Sequence, residues 1–303
     1  MKIYLAGERG LVGSALCKYY YGRNDVEFIS TNSSQVDLRD YRQIERFICT
    51  NKPDVMILSA ARHGGIESYR DMPLETYRDN LAIGMNALNS AAENGVETVI
   101  NIGASCAYAE SLKGPLTEDM LFIGPVQKAT EPYGMSKAAG MKLCEYYNRC
   151  RGLRYISILP PNLYGDGIGY RVDTSSVLPG MMERFHEAKK KGAETVTIWG
   201  SGNTRREFLH VHDLVRAIDV LIRSSFSDPY INISGPEMYT INEVAGIMAR
   251  VCGYTGAIIH DLSKPEGAQR EKLDYNKINA LGWKPEIDLY EGLRGMYRNM
   301  YGT

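Results

Sequence analysis

The chain is defined first by what it lacks. Its six cysteines, at positions 17, 49, 106, 144, 150 and 252, form no C-x-x-C pair and have no histidines at zinc-site spacing. Scattered thiols in a chain of 303 residues are expected to be buried residues of a reducing cytoplasm, with no metal site. No apolar run approaches the roughly 18 residues of a membrane span. Neither sign of charge dominates: 35 Lys and Arg against 36 Asp and Glu leave a net charge of −1. That balance argues against a surface built for nucleic acid or membranes, so any anionic ligand needs a local site. Met1-Lys2-Ile3-Tyr4-Leu5-Ala6 runs straight into a glycine motif without a charged-then-apolar leader, so no secretory signal is expected. Fixed-period repeats and low-complexity tracts are also missing. At about 150 residues per domain, the length fits one large or two modest domains.

What is present is an alternation of short apolar runs with longer helical patterns. Residues 3–6, 26–30, 54–60, 97–103 and 154–159 read as strands. Residues 11–21, 40–50, 75–94 and 132–150 read as the helices between and after them. Strands apolar on both faces and separated by helices predict an α/β, doubly wound parallel sheet with crossover connections. After Pro160-Pro161 the pattern becomes irregular. The spacing predicts a nucleotide-binding domain over residues 1–164, joined by a returning segment at about 193–222. A smaller, interleaved substrate domain over 165–303 is predicted to close with an amphipathic helix near 289–301, leaving a cleft between the two.

Gly7-Glu8-Arg9-Gly10-Leu11-Val12-Gly13 joins the first strand to the first helix. In that setting Gly7, Gly10 and Gly13 allow a tight turn, close approach of backbone to a pyrophosphate, and packing of helix on strand. The helix N-terminus at Leu11 and Val12 would supply N–H groups for phosphates. A glycine turn without ligand is the competing reading. NAD binders usually carry a carboxylate at the end of the second strand, where this chain has Phe28-Ile29-Ser30-Thr31-Asn32-Ser33-Ser34. The missing carboxylate, with Arg9 in the loop to meet a 2′-phosphate, favours NADP; a solvated loop arginine is the alternative for Arg9.

Tyr133 and Lys137 stand at i and i+4 at the start of a predicted helix, hence on one face of it. The ammonium would lower the phenol pKa and bind the nicotinamide ribose, and the phenol would exchange a proton with a carbonyl or hydroxyl as hydride moves. An exposed surface pair is the alternative.

With these motifs in place, the chain resembles the extended short-chain dehydrogenase/reductases, and among them the GDP-L-fucose synthase (GDP-4-keto-6-deoxymannose epimerase/reductase) branch. The resemblance covers nearly the whole chain. It rests on Ala60-Ala61-Arg62-His63-Gly64-Gly65-Ile66, Leu143-Cys144-Glu145-Tyr146-Tyr147-Asn148-Arg149, Asn162-Leu163-Tyr164-Gly165, Arg184-Phe185-His186-Glu187-Ala188, Trp199-Gly200-Ser201-Gly202, Arg206-Glu207-Phe208-Leu209-His210-Val211 and Ser263-Lys264-Pro265. It implies a homodimer using NADPH that inverts two centres beside a sugar ketone and then reduces the ketone. It implies Cys106 as the base for inversion, and Asn162, Arg184, Trp199 and Arg206 as contacts to the nucleotide-linked sugar. A small buried residue is the alternative for Cys106, and a core residue for Trp199.

The family's hydroxyl and histidine fall here on Ala104 and Ser176, which cannot replace them, and its substrate lysine on Glu271, next to Lys272. Ser105 is expected to point away if its segment is extended. His63, Arg171 and Asp173 are candidate replacement proton donors. Three functions follow: an NADPH-dependent reductase, with or without epimerisation, of a GDP-linked 4-keto-6-deoxy sugar or related heptose; an epimerase using Cys106 without net reduction; and a degenerate cofactor-binding partner subunit.

Overall fold

The computed structural model describes residues 1–166, 176–264 and 270–302. The first half alternates strand and helix: β1 (Lys2–Ala6), α1 (Leu11–Tyr20), β2 (Glu27–Thr31), α2 (Tyr41–Asn51), β3 (Val55–Leu58), α3 (Ile66–Asp71), α4 (Pro73–Glu93), β4 (Thr98–Ile102), α5 (Glu131–Arg151) and β5 (Arg154–Leu159). Then follow β6 (Asn162–Tyr164), α6 (Val177–Lys191), β7 (Thr195–Trp199), β8 (Arg205–Arg206), β9 (Phe208–His210) and α7 (Val211–Arg223). The chain ends with β10 (Tyr230–Asn232), β11 (Tyr239–Thr240), α8 (Ile241–Cys252), β12 (Ala257–Asp261), α9 (Asn276–Ala280) and α10 (Leu289–Tyr301).

Local signals account for many of the boundaries. Asp40 caps α2 by accepting from the Arg42 N–H, and Pro73 opens α4 where its missing N–H costs nothing. Gly152 ends α5 in the left-handed region, and Thr240 with Glu243 forms a capping box on α8.

Six parallel strands form the central sheet in the order β10-β5-β4-β3-β1-β2. Strand periodicity divides its residues between two cores. Ile3, Leu5, Val55, Ile57, Ile100, Ile102, Ile156 and Ile158 face α1 and α7, whereas Tyr4, Ala6, Met56, Leu58, Val99 and Tyr155 face α2, α4 and α5. The inner strands β1, β3, β4 and β5 are covered on both sides, which is why their sequences read as mostly apolar runs. Chain order reverses at β1, between β2 on one side and β3 on the other. In an open sheet of this kind, the crevice at the carboxyl ends of these strands is where ligands bind.

A separate core joins α6, α8 and α10 to β7, through Leu178, Met182, Phe185, Ile198, Met248 and Leu293. The buried carboxylate of Asp213 ties the last segment to α7. It accepts from the N–H groups of Glu286 and Ile287, each at 3.1 Å, and from Arg216 at 2.7 Å. Among the described residues, no helix is long and apolar enough to cross a membrane.

The expected doubly wound sheet is present, but the returning segment differs from expectation. Residues 211–222 do come back against α1, as part of α7. Residues 195–199 instead pair with β12 in a separate two-stranded sheet. The returning strand is β10, next to β5. Its three-residue length and the flanking Pro229 gave it too little periodic signal to be read from sequence.

Candidate active site

The glycine loop has the shape of a phosphate cradle. Gly7 lies at φ +103°, and a Cβ there would come within 2.6 Å of the Ala60 backbone nitrogen. A Cβ on Gly13 would fall 2.0 Å from the Gly7 carbonyl, so helix and strand pack through that glycine. A Cβ on Gly10 would meet nothing within 4 Å, and Gly10 is also the N-cap of α1, with no side-chain cap. The packed glycines shape the turn, and the open one leaves the N–H groups at the helix start accessible to an anion. Leu11 and Val12 pack their side chains on the core, so only their backbone can face such an anion. Arg9 is exposed.

The cofactor end holds a carboxylate that the sequence expectation did not include. The second strand carries no carboxylate of its own, but Glu8 brings one to it. The N–H groups of Gly7 and Glu8 both donate to the Thr31 carbonyl, at 3.0 and 3.1 Å. The Glu8 side chain then accepts from Asn32 Nδ2 at 2.7 Å and from the Ser30 hydroxyl. Those two bonds hold its carboxyl below the usual carboxylate range, with the Arg9 charge adding to the effect.

Tyr133 and Lys137 lie in the first turns of α5, beside the carboxyl end of β4. Lys137 is buried, with its Nζ 6.0 Å from the centre of the Tyr133 ring. Burial lowers the Lys137 ammonium to about 8. The lysine was expected to lower the phenol pKa, but burial dominates, with smaller contributions from Cys106 and Tyr69, and the Tyr133 phenol is pushed well above its ordinary value. At neutral pH the phenol therefore carries its proton. His63 meets the Tyr133 ring edge-on at 5.3 Å.

Cys106 is buried below the start of α5. A Cβ on Gly134 would lie 3.5 Å from its sulfur. Burial pushes the thiol up, and outweighs the opposing pull of the Arg270 charge, the Thr130 hydrogen bond and Lys137. Ala104 precedes a 3-10 turn over Ser105–Ala107. That turn removes the premise for Ser105 facing away, because the segment is not extended: Ser105 lines a cleft together with Tyr108, Gln127, Asn162, Glu207 and Arg270.

The expected substrate contacts divide between two places. Asn162 lines the cleft and donates to the Glu207 carbonyl at 3.0 Å. Arg206 lies close enough to Arg270 for their like charges to interact. Burial first, and Arg270 second, push its guanidinium down from its ordinary value, though an arginine at neutral pH stays charged. Arg184, on α6, and Trp199, the last residue of β7, do not line this cleft. Arg184 donates to the carbonyls of Gly180 and Thr197, at 3.2 and 3.3 Å. Trp199 is 61% exposed, with Lys264 Nζ 5.6 Å from the ring centre, so it is not the core residue of the alternative reading. Ser176 is the N-cap of α6 and makes no side-chain cap bond. Arg171 and Asp173 lie outside the described residues. Lys272 donates to the Pro236 carbonyl at 2.6 Å, and Glu271 lines the cleft.

Sequence reading passed over Glu8, Arg270, Gln127 and Glu207. Arg270 donates to the Gln127 side-chain carbonyl. The Glu207 carboxyl, pushed up to about 7 by burial, accepts from the Ser234 hydroxyl at 2.9 Å and the Leu273 N–H at 3.0 Å. Only Glu8 had a local signal, its place in the glycine loop. The others are brought together by strands and turns far apart in the chain.

A doubly wound sheet, a glycine cradle at its switch point and a Tyr-x-x-x-Lys pair on the helix after β4 define a nicotinamide-dependent enzyme of the extended short-chain dehydrogenase/reductase type. The chain belongs to the NAD dependent epimerase/dehydratase family, which matches residues 3–234. It is 37% identical over 306 residues to the GDP-L-fucose synthase of Escherichia coli K12, covering 98% of this chain and 95% of that one. Among solved structures, it resembles a GDP-D-glycero-L-gluco-heptose synthase from Campylobacter jejuni in the presence of NADPH. The TM-score is 0.90 at 28% identity, over 100% of this chain and 98% of that one. It also resembles a GDP-mannoheptose C4 reductase from Campylobacter jejuni with NADP bound, at TM-score 0.89 and 30% identity, over 100% and 98% of the two chains.

Proposed function

We propose that this protein is an NADPH-dependent reductase that converts the C4 ketone of a GDP-linked sugar, a 4-keto-6-deoxyhexose or a related heptose, to the alcohol. The observation that carries the proposal is the buried Lys137 Nζ lying 6.0 Å from the centre of the Tyr133 ring, at the same carboxyl end of the sheet as the open Gly10 cradle. The nicotinamide, when bound, supplies the hydride. The turn at Gly7, Gly10 and Gly13 and the N–H groups of Leu11 and Val12 would hold the pyrophosphate, with Arg9 beside the ribose. Tyr133 donates its proton to the ketone oxygen as negative charge develops there. Lys137 stabilises the phenolate that remains and fixes the nearby ribose.

Residues 1–164 would carry the cofactor and residues 165–303 most of the sugar-nucleotide contacts. The cleft beside Ser105, Asn162 and Arg270 suits the sugar and diphosphate, with Arg206 and Arg270 as cations for phosphate oxygens. Trp199, exposed beneath Lys264, would stack on a base. The GDP-sugar names of the E. coli and Campylobacter relatives support this substrate class. A cytoplasmic homodimer is part of the proposal. Leu74, Tyr77 and Met85 on α4, with Met135 and Tyr146 on α5, expose apolar surface for a second copy.

Epimerisation before reduction is the second reading, favoured by one observation: Cys106 lies next to Tyr133 and feels the Arg270 and Lys137 charges. Incubation with GDP-4-keto-6-deoxymannose in deuterated buffer, with and without NADPH, tests both readings. NADPH consumption with deuterium-free C3 and C5 is the outcome expected of a reductase, and deuterium at either carbon is the outcome expected of the second reading. No NADPH consumption with this substrate or its heptose counterpart overturns the proposal.

A further inference from the structure

The cofactor end of the glycine loop holds two opposite charges at the tip of β2. Dinucleotide-binding folds usually place an acidic residue there from the strand itself, where it accepts a hydrogen bond from the adenosine ribose hydroxyl. Here the carboxylate arrives from the loop. Its backbone is stitched to β2 by the bonds of Gly7 and Glu8 to the Thr31 carbonyl. Its two oxygens are held separately, one by Asn32 Nδ2 at 2.7 Å and the other by Ser30 Oγ. Both holders are fixed in turn. Asn32 is buried, donates also to Gln35 Oε1 at 2.7 Å, and accepts from the Ser34 N–H at 3.0 Å. Ser30 shares a 2.8 Å bond with the Tyr21 hydroxyl. A carboxylate so held is a preorganised acceptor rather than a mobile surface charge, and each of its oxygens keeps a lone pair for a further donor.

We propose that Glu8 is the nucleotide-specificity residue of this protein: its carboxylate accepts from the ribose hydroxyls of NADH and opposes the 2′-phosphate of NADPH, so that the site takes both. Arg9, the next residue and exposed, acts in the other direction by attracting the phosphate. The outcome is a balance within one loop, with NADPH retained through Arg9 and NADH admitted through Glu8. This inference rests on the reading of the glycine loop as a dinucleotide cradle.

The test is a fluorescence titration of the full-length protein with NADPH and with NADH, which needs no sugar substrate and reads affinity rather than turnover. For the unaltered protein, the two dissociation constants are expected to agree within about tenfold. Glu8→Gln keeps the shape and removes the charge, and is expected to shift the ratio toward NADPH by about tenfold or more, through tighter NADPH and weaker NADH. Arg9→Ala should shift it toward NADH. Glu8→Ala, with its fold checked by circular dichroism, provides a second variant if Glu8→Gln does not fold. A shift of less than about threefold in the folded Glu8 variants, or NADH binding more than about a hundredfold weaker than NADPH in the unaltered protein, overturns the assignment while leaving the cofactor reading intact. Failure of the unaltered protein to bind either nucleotide overturns the cofactor reading and this inference with it.

Discussion

The rings of Tyr69 and Tyr133 lie nearly parallel, with centres 5.5 Å apart and planes 12° apart. The phenol assigned to proton transfer is thus covered on one face by a residue of α3. Its elevated pKa follows mainly from the burial to which that cover contributes. Tyr133→Phe retains the ring and its packing while removing the proton. It is expected to lower the reduction rate by about 10²–10⁴-fold, with NADPH affinity nearly unchanged, as read by single-turnover kinetics and by titration. Reduction at the parental rate would exclude Tyr133 as the donor.

The Lys137 ammonium, lowered to about 8 by burial, gives the pH dependence a definite sign. The group is charged below that value and neutral above it. Support for the phenolate should therefore decline as pH rises through about 8, and the rate of reduction with it. In Lys137→Met this limb should disappear along with most of the rate, and cofactor binding should weaken. Pre-steady-state rates across pH, with the nucleotide held saturating, would reveal it.

Ser105 faces the cleft because a 3-10 turn, rather than a strand, follows Ala104. We propose that its hydroxyl takes over the hydrogen bond that Ala104 cannot make. Ser105→Ala is expected to lower kcat by about 100-fold, the lower end of the range for loss of one oxyanion donor. Ala104→Ser should give little gain. A large gain from Ala104→Ser, with no loss from Ser105→Ala, would return the role to position 104.

For Cys106 the expectation concerns isotope rather than rate. A thiol kept protonated by burial is no base, and the proton for C4 reduction is assigned to Tyr133. Cys106→Ser should therefore reduce the ketone at no less than about a tenth of the parental rate, since only packing changes. Any deuterium exchange seen in the parent should vanish in this variant. Mass spectrometry of the sugar product distinguishes the two.

Asp213 makes a stability prediction away from the chemistry. Its carboxylate joins α7 to the segment before α10 by two hydrogen bonds, from the Glu286 and Ile287 N–H groups, and accepts a third from Arg216 within α7. Asp213→Ala leaves two backbone donors and Arg216 without that acceptor, and is expected to destabilise the fold by about 3 kcal/mol. Chemical denaturation would measure it. A loss below about 0.5 kcal/mol would show that water replaces the carboxylate.

The architecture of the first half was legible because parallel strands buried on both faces leave strong apolar runs, and long helices leave turn-by-turn spacing. Residues 11–21 and 75–94 in the sequence became Leu11–Tyr20 and Pro73–Glu93 in the structure. The placement of the glycine loop before α1 and of Tyr133 and Lys137 on one helix was legible too, because both depend on spacing along a short stretch of chain. What tertiary structure alone decided are the relationships between distant segments. β7 carries a strand's periodicity whether it joins the central sheet or β12, so the choice of partner cannot be read from it locally. The second strand's lack of a carboxylate was a correct reading of residues 28–34, yet Glu8 supplies one from 22 positions before Ser30, because two backbone bonds fold the loop onto the strand end. The protonation of Tyr133, Lys137 and Cys106 likewise depends on burial, which residues from β4, α3, α5 and the Arg270 segment create jointly. Sequence spacing places groups along an element; desolvation and charge are sums over everything that surrounds a group, and only the folded chain assembles that surrounding.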